Sequence, residues 1–168
     1  KFNGRLFFFD KDRGAEIFLR AINGTYMTPD VARPSGFNPF QLEDNSTNRS
    51  FLVEFLRALV TYDNDKLAPE DLEKLNEAVS GNYKLPQKQR KLSNIAAFMG
   101  IGGPGSLAGK LSMWHGIGSH NKLFDNEEDV IDFNSNRIFG FEMGEMLKDR
   151  YAIGPVLLYL FHRIQKSL

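Results

Sequence analysis

Hydrophobic residues follow two different rules along this chain. Near the start, Leu6-Phe7-Phe8-Phe9 is apolar at every position and stops at the charged string Asp10-Lys11-Asp12-Arg13-Gly14. A run without alternation predicts a strand buried on both faces, as in a parallel sheet. Ala15 to Ala21 then reads as a short helix with Ile17 and Phe18 inward, Asn23-Gly24 as a turn, and Thr25-Tyr26-Met27 as a second strand. From Pro29 to Asn48 the chain is rich in Pro, Gly, Ser and Asn, which predicts an ordered loop.

The middle has helical period. Phe51, Leu52, Phe55, Leu56, Leu59 and Val60 form a wide apolar face behind a cap at Ser46 or Thr47. A second helix starts at Pro69, carries acids in its first turn, turns Leu72, Leu75 and Val79 inward and stops at Gly81. A third runs from about Gln87 to Gly100 with Leu92, Ile95, Ala96 and Met99 inward. A fourth runs from Ser106 to Gly116 with Leu107, Leu111 and Trp114 inward. Four helices with short joints predict a small bundle. Beyond Asp125 the period changes again: Val130 to Phe133 and Arg137 to Phe141 read as a strand pair turned at Asn134-Ser135-Asn136. Gly144 to Lys148 is a short helix. A last helix from Ala152 carries the stripe Ile153, Val156, Leu157, Leu160, Phe161 and Ile164. The order implies an α/β fold, mostly helical by content. Residues 1–45 and 123–168 form its α/β part, and 46–122 a helical insertion.

Composition narrows the class. The chain has 168 residues, 42% hydrophobic and 25% charged, enough for a folded domain with a buried core. Lys+Arg and Asp+Glu are 21 each, so no basic excess points to nucleic acid. Cysteine is absent, which excludes disulfides, zinc thiolates and a cysteine nucleophile. The longest uncharged apolar stretch near the end, Tyr151 to Phe161, has eleven residues against the ~20 of a spanning helix. No signal-peptide pattern opens the chain and no Met begins it; both ends read as cut from something longer.

Candidate chemistry gathers in one place. Asp10, Asp12, Arg13 and Glu16 follow the first strand, where ligand sites of α/β sheets lie. Carboxylates there can hold metal-bound water or orient an attacking one. The plainer alternative is a strand-to-helix loop whose charges cap the helix and pair with each other. Other motifs fail. Gly109-Lys110 is followed by Leu111, and Pro104 stands where a phosphate loop needs its first Gly; this is a joint between helices. His115 and His120 are five apart and fall on different helix faces, and His162 has no visible partner for general-base work. Asp125 to Asp129 lacks the calcium-loop spacing, and there is no G-x-S-x-G elbow. Lys84 to Lys91 holds four cations in eight residues and reads as an exposed helix entry. Taken alone, these residues give a charged strand-end site but no reaction.

The strings themselves resemble a known family. Phe9-Asp10-Lys11-Asp12-Arg13-Gly14-Ala15-Glu16-Ile17-Phe18 is similar to a hallmark of the type IV secretion and conjugation ATPases, the CagE/TrbE/TraC family to which the fourth VirB protein belongs. The matching blocks continue in order. They are Gly36 to Leu42, Asn48-Arg49 leading to Leu59, Arg90 to Ser93, Trp114-His115-Gly116 with Phe124-Asp125-Asn126, and Pro155 to Ile164. The resemblance implies a partial RecA-like P-loop NTPase core interrupted by an all-helical insertion. It implies a parent that binds ATP and Mg²⁺, forms a hexamer and works with other secretion components. That parent energises pilus assembly and transport of protein or DNA from the bacterial cytoplasm, at the inner membrane. The family's Walker A loop and Walker B acids do not occur in this sequence, which resembles the segment between them. It is therefore expected neither to bind ATP tightly nor to hydrolyse it alone. On this resemblance Asp10 and Glu16 would support water or metal near the nucleotide, with Asp12 beside them. Arg13 would reach a neighbouring subunit's phosphate. Glu142 stands where the family pattern suggests Asp. A segment cut from such a core is also expected to expose sheet edges and to self-associate.

Overall fold

The computed structural model describes residues 4–62 and 65–167. In chain order its elements are β1 (Leu6–Asp10), α1 (Glu16–Ala21), β2 (Thr25–Met27), α2 (Ser46–Val60), α3 (Pro69–Lys84), α4 (Leu92–Ile95), α5 (Leu107–Leu111), α6 (Asn121–Phe124), β3 (Ile138–Glu142), α7 (Gly144–Lys148) and α8 (Ile153–Gln165). They form two units: Lys1–Asp30 with Ile131–Leu168, and Val31–Val130. The divisions fall outside the boundaries read from the sequence, because the flanking stretches pack with the helices. Phe37 and Phe40 are fully buried, and Asn38 donates from Nδ2 to the carbonyls of Arg90 (2.9 Å) and Asn126 (2.8 Å). Among the described residues no helix is long and apolar enough to cross a membrane.

The first unit is a three-stranded sheet in the order β1-β3-β2, parallel throughout. β1 is thus an edge strand, and Leu6 and Phe8 are exposed rather than buried on both faces as the apolar run predicted. The expected strand over Val130 to Phe133 is not a strand either. Both edges of β3 are occupied by β1 and β2, and the Asp132 carbonyl is taken by Ser135 in a tight turn. Ile131 and Phe133 are still buried, Phe133 with its ring 5.0 Å from Phe7 and 4.8 Å from Phe139. α1 turns Leu19 inward and leaves Ile17 and Phe18 exposed, the reverse of the expected face. Gly140 sets this: a Cβ there would stand 2.5 Å from Leu19 Cδ1 and 2.6 Å from Tyr26 Cδ2. In α8 the buried residues are Pro155, Val156, Tyr159, Leu160 and Ile164. Phe161 is exposed, although its ring lies 5.4 Å from that of Phe9.

In the second unit all six apolar residues predicted for α2 are buried. Its cap is Asn45, one residue before the expected Ser46 or Thr47, with the side chain accepting from Asn48 N at 2.9 Å. α3 buries Leu75 and Val79, but Leu72 is exposed and Gly81 does not end the helix. A Cβ at Gly81 would fall 2.2 Å from the Phe98 ring, so the residue makes room for an aromatic. The third and fourth predicted helices are shorter than their periodicity suggested. α4 passes into a 3₁₀ turn at Ala96–Met99, and α5 into another at Ser112–Trp114. Ser106 caps α5, accepting from Gly109 N at 3.1 Å. Gly100 and Gly116 take positive φ, as the stops at those positions required. Trp114 is fully buried and donates from Nε1 to the Leu59 carbonyl at 2.8 Å.

Candidate functional site

Parallel pairing brings the last residues of two strands side by side. Asp10 ends β1, Glu142 ends β3, and the register makes them partners. Both are largely buried. Between them stands Tyr26 of β2, whose hydroxyl lies 2.6 Å from Asp10 Oδ2 and 3.1 Å from Glu142 Oε2. A phenol has one proton to donate and here meets two acceptors.

The remaining lone pairs of both acids are spent on backbone. Asp10 accepts from Lys11 N (2.9 Å) and Ala15 N (2.8 Å), which curls the chain after β1 back on itself. Glu142 accepts from Arg13 N (2.7 Å), Asp12 N (3.2 Å) and Gly144 N (2.7 Å). Asp12 and Arg13 both sit in the left-handed region, with φ of 60° and 57°. Successive side-chain-bearing residues avoid that conformation unless their surroundings enforce it. Here one buried carboxylate collects both of their N–H groups.

The electrostatics follow from these contacts. Burial alone would push the Asp10 carboxyl up, but bonds from Tyr26, Ala15, Lys11 and Gly14 outweigh it and hold the acid below its ordinary range. Glu142 behaves alike: burial opposes ionisation, and Gly144, Arg13, Tyr26 and Asp12 together overcome it. Tyr26 is pushed strongly upward by burial, then by the two carboxylates, so it stays protonated as the shared donor.

The four residues singled out from the sequence divide into two kinds. Asp10 is an internal anchor. Asp12 and Arg13 are exposed at the loop's tip. Arg13 Nη1 meets Glu16 Oε2 at 3.0 Å, and Arg20 Nε meets Glu16 Oε1 at 2.9 Å. Arg20 is the main cause that lowers the Glu16 pKa; burial opposes it and Arg13 adds to it. The loop therefore pairs its charges, as half of the plainer reading expected, but they do not cap the helix, whose N-cap is Ala15 without a side-chain bond; the loop backbone is held from beneath. Tyr26 is the residue missed, and Glu142 is noted only as a departure from the family pattern, with no role. The available signal was symmetry: Phe141-Glu142 repeats Phe9-Asp10, an acid closing an apolar strand.

The remaining candidates stay apart from this cluster. Lys110, at the end of the glycine-rich joint, is ion-paired with Asp65, and the joint leads into a five-residue helix with no strand before it. His120 Nδ1 lies 2.8 Å from Ser119 Oγ. The imidazole of His162 is pushed down to about 4 by burial, then by Lys166 and Arg163. Among the described residues no three His, Cys, Asp or Glu converge as metal ligands would. Asp10 and Glu142 have their acceptor positions filled by the chain's own donors, and no phosphate-loop pattern is present. These residues do not fit a nucleotide–Mg²⁺ site by themselves.

Comparison with known proteins places this geometry. No protein-family model matches the chain. Among curated proteins, the type IV secretion system protein virB4 of Bartonella henselae is 32% identical over 165 residues, covering 98% of this chain and 21% of that protein. The virB4 of Brucella suis biovar 1 is 30% identical over 172 residues, covering 96% and 21%. Protein virB4 of Agrobacterium tumefaciens is 32% identical over 167 residues, covering 96% and 20%. The chain thus spans about a fifth of the length of these relatives. Its fold matches the structure of VirB4 of Thermoanaerobacter pseudethanolicus with a TM-score of 0.69, over 98% of this chain and 50% of that one, at 13% identity. Over nearly its whole length, in sequence and in fold, this chain is a homologue of part of the VirB4 type IV secretion proteins.

Proposed function

We propose that these residues serve as the part of a type IV secretion ATPase between its phosphate loop and its Mg²⁺-binding acids. The observation that carries this reading is the identity of about 30% to VirB4 proteins over nearly the whole chain. On it, the parallel sheet belongs to a RecA-like core and the helical unit is the insertion. The whole protein is a hexameric ATPase that drives transport from the cytoplasmic side of the inner membrane and binds ATP with Mg²⁺. In this segment Asp10, Glu142 and Tyr26 hold the loop, and Asp12, Arg13 and Glu16 face the nucleotide or the neighbouring subunit from it.

The test is ATP turnover by the VirB4-length protein. Arg13→Ala and Glu16→Ala should each lower it by about a hundredfold or more, the order lost with one electrostatic stabiliser of the transition state. Unchanged turnover in both removes the loop from the site. Turnover by the 168-residue chain alone would overturn the reading that the phosphate-handling groups lie elsewhere.

A second reading has its own observation. Ile101 and Ile117 of the helical unit are fully exposed, each on a glycine-flanked loop. Bare β-branched residues at loop tips suit docking into another secretion component. Ile101→Asp with Ile117→Asp should then abolish partner pull-down while ATP turnover stays intact.

A further inference from the structure

In the loop after β1, the residue best able to take a left-handed backbone does not take it. Gly14 keeps a φ outside that region, and a Cβ there would meet nothing nearer than 3.7 Å. Arg13, with its long side chain, takes a φ of 57° directly after Asp12 at 60°. Asp12 and Asn23, the other non-glycines of positive φ among the described residues, are of types that tolerate this conformation. Arg13 is not, so a contact from outside the loop enforces it. Backbone strain of this kind collects where function needs a side chain held in one direction.

The two buried acids divide the loop between them. Asp10 takes the N–H groups of Lys11, Gly14 and Ala15. Glu142 takes those of the left-handed pair: Oε1 accepts from Asp12 N at 3.2 Å and Oε2 from Arg13 N at 2.7 Å. Its other positions are filled as well, Oε1 by Gly144 N at 2.7 Å and Oε2 by the Tyr26 hydroxyl at 3.1 Å. A carboxylate has about four such positions, so this one is held from every side. Reach matters as much as charge. An aspartate at 142 could still accept from Gly144 N, two residues on, but it is one methylene short of the loop. Gly144 sets the other limit, since a Cβ there would stand 2.6 Å from Glu142 Oε1.

We infer that Glu142 is the positioning residue for Arg13: it holds the left-handed pair Asp12-Arg13 and so fixes the direction in which the exposed guanidinium is presented. Released from Glu142, Arg13 would return to negative φ, a rotation of roughly 120° that re-aims its side chain. Asp10 would keep the base of the loop closed meanwhile. Glu142 touches no substrate in this role and acts through Arg13. The inference rests on the reading above that Arg13 serves the nucleotide or a neighbouring subunit.

Two variants move the carboxylate without removing it. Glu142→Asp keeps the charge and shortens the reach, whereas Gly144→Ala leaves Glu142 in the chain and displaces its Oε1. In the 168-residue chain each should speed amide exchange at Asp12 and Arg13 by about tenfold or more, with Lys11 and Ala15 unchanged. In the VirB4-length protein each should lower kcat for ATP by about tenfold with KM unchanged. Adding Arg13→Ala to either should give a protein no slower than Arg13→Ala alone, because nothing is then left to position. Exchange at Asp12 and Arg13 that stays at the unsubstituted rate in both variants overturns the inference. So do losses that multiply with that of Arg13→Ala, since Glu142 would then support the fold and not Arg13. Full turnover by Arg13→Ala sinks the earlier reading, and the exchange rates alone then decide whether Glu142 sets Arg13.

Discussion

The helical unit and the sheet unit spend their aromatic residues differently. In α2 all six apolar residues of the predicted face are buried, and Phe55 is fully buried with rings of Phe40, Phe51 and Phe124 at 6.1, 5.7 and 4.9 Å. In β1 and α1 the apolar residues are as dense, yet Leu6, Phe8, Ile17 and Phe18 stand in solvent. Apolar character therefore measures what a residue can bury, whereas burial depends on whether a neighbour is present. The largest expected effect lies on the closed side. Phe55→Ala should cost about 3–5 kcal/mol in the helical unit, the usual range for a buried Phe. Urea unfolding followed by Trp114, the sole tryptophan, reads that unit alone. Phe8→Ala, read by amide exchange in the sheet unit, should cost about 1–2 kcal/mol, since Phe8 is 41% exposed. Similar costs for the two would break the comparison.

The sheet unit has a second kind of core, made of polar bonds. Glu142→Ala removes the acceptor for three backbone N–H groups and for one contact of Tyr26. Leaving buried donors unpaired should cost about 2–3 kcal/mol, with faster amide exchange at Asp12 and Arg13 as the local signature. Acid should act on the same bonds. The folded pKa values of Asp10 and Glu142 lie below their ordinary values of 3.8 and 4.5, so this stabilisation is complete above pH 4.5 and is lost as pH falls through the depressed folded values. His162 adds an earlier step. Its folded value of about 4 lies below the ordinary 6.5, so the fold favours the neutral ring. Its contribution is present above pH 6.5 and falls between 6.5 and 4. His162→Gln should flatten stability over that window while leaving the steeper loss below pH 4.5 in place. Exchange rates in the sheet unit as a function of pH would separate the two steps.

A smaller effect tests the boundary of the best-read element. Asn45→Ala removes the side chain that accepts from Asn48 N and should cost about 1 kcal/mol, while Ser46→Ala should change stability little. The sequence marked the start of this helix to within one residue because any of three polar residues there can cap. It marked the inner face without error because helical period needs no knowledge of partners. The strands were legible as segments, but their neighbours were not. Val130 to Phe133 is apolar for its contact with Phe7 and Phe139, and nothing in its own pattern distinguishes that from a ladder. The face of α1 was misread for a related reason: Gly140, 121 positions after Leu19 in the chain, decides which side chain fits beneath the helix. The site was half legible in the same sense. Asp10 was visible beside its charged loop, but Glu142 and Tyr26 become its partners only through strand register.

The smallest expected effect is the most informative about the open side. Phe18 is 64% exposed, so only about a third of its surface leaves water in this chain. A third of the benefit of fully burying a Phe makes the burial lost in Phe18→Ser worth roughly 1 kcal/mol beyond the intrinsic helix preference. Stability of the sheet unit, read by amide exchange at Leu19 and Tyr26, should therefore fall by about that much only, and solubility should rise as an apolar patch is broken. The same substitution in a VirB4-length protein whose further residues cover Phe18 would leave a hydroxyl facing apolar side chains and should cost about 3 kcal/mol or more. The ratio of the two costs measures how far Phe18 is covered in the longer protein. A large cost already in the 168-residue chain would mean that α1 and β1 are closed in solution, and the contrast between the two units would then disappear.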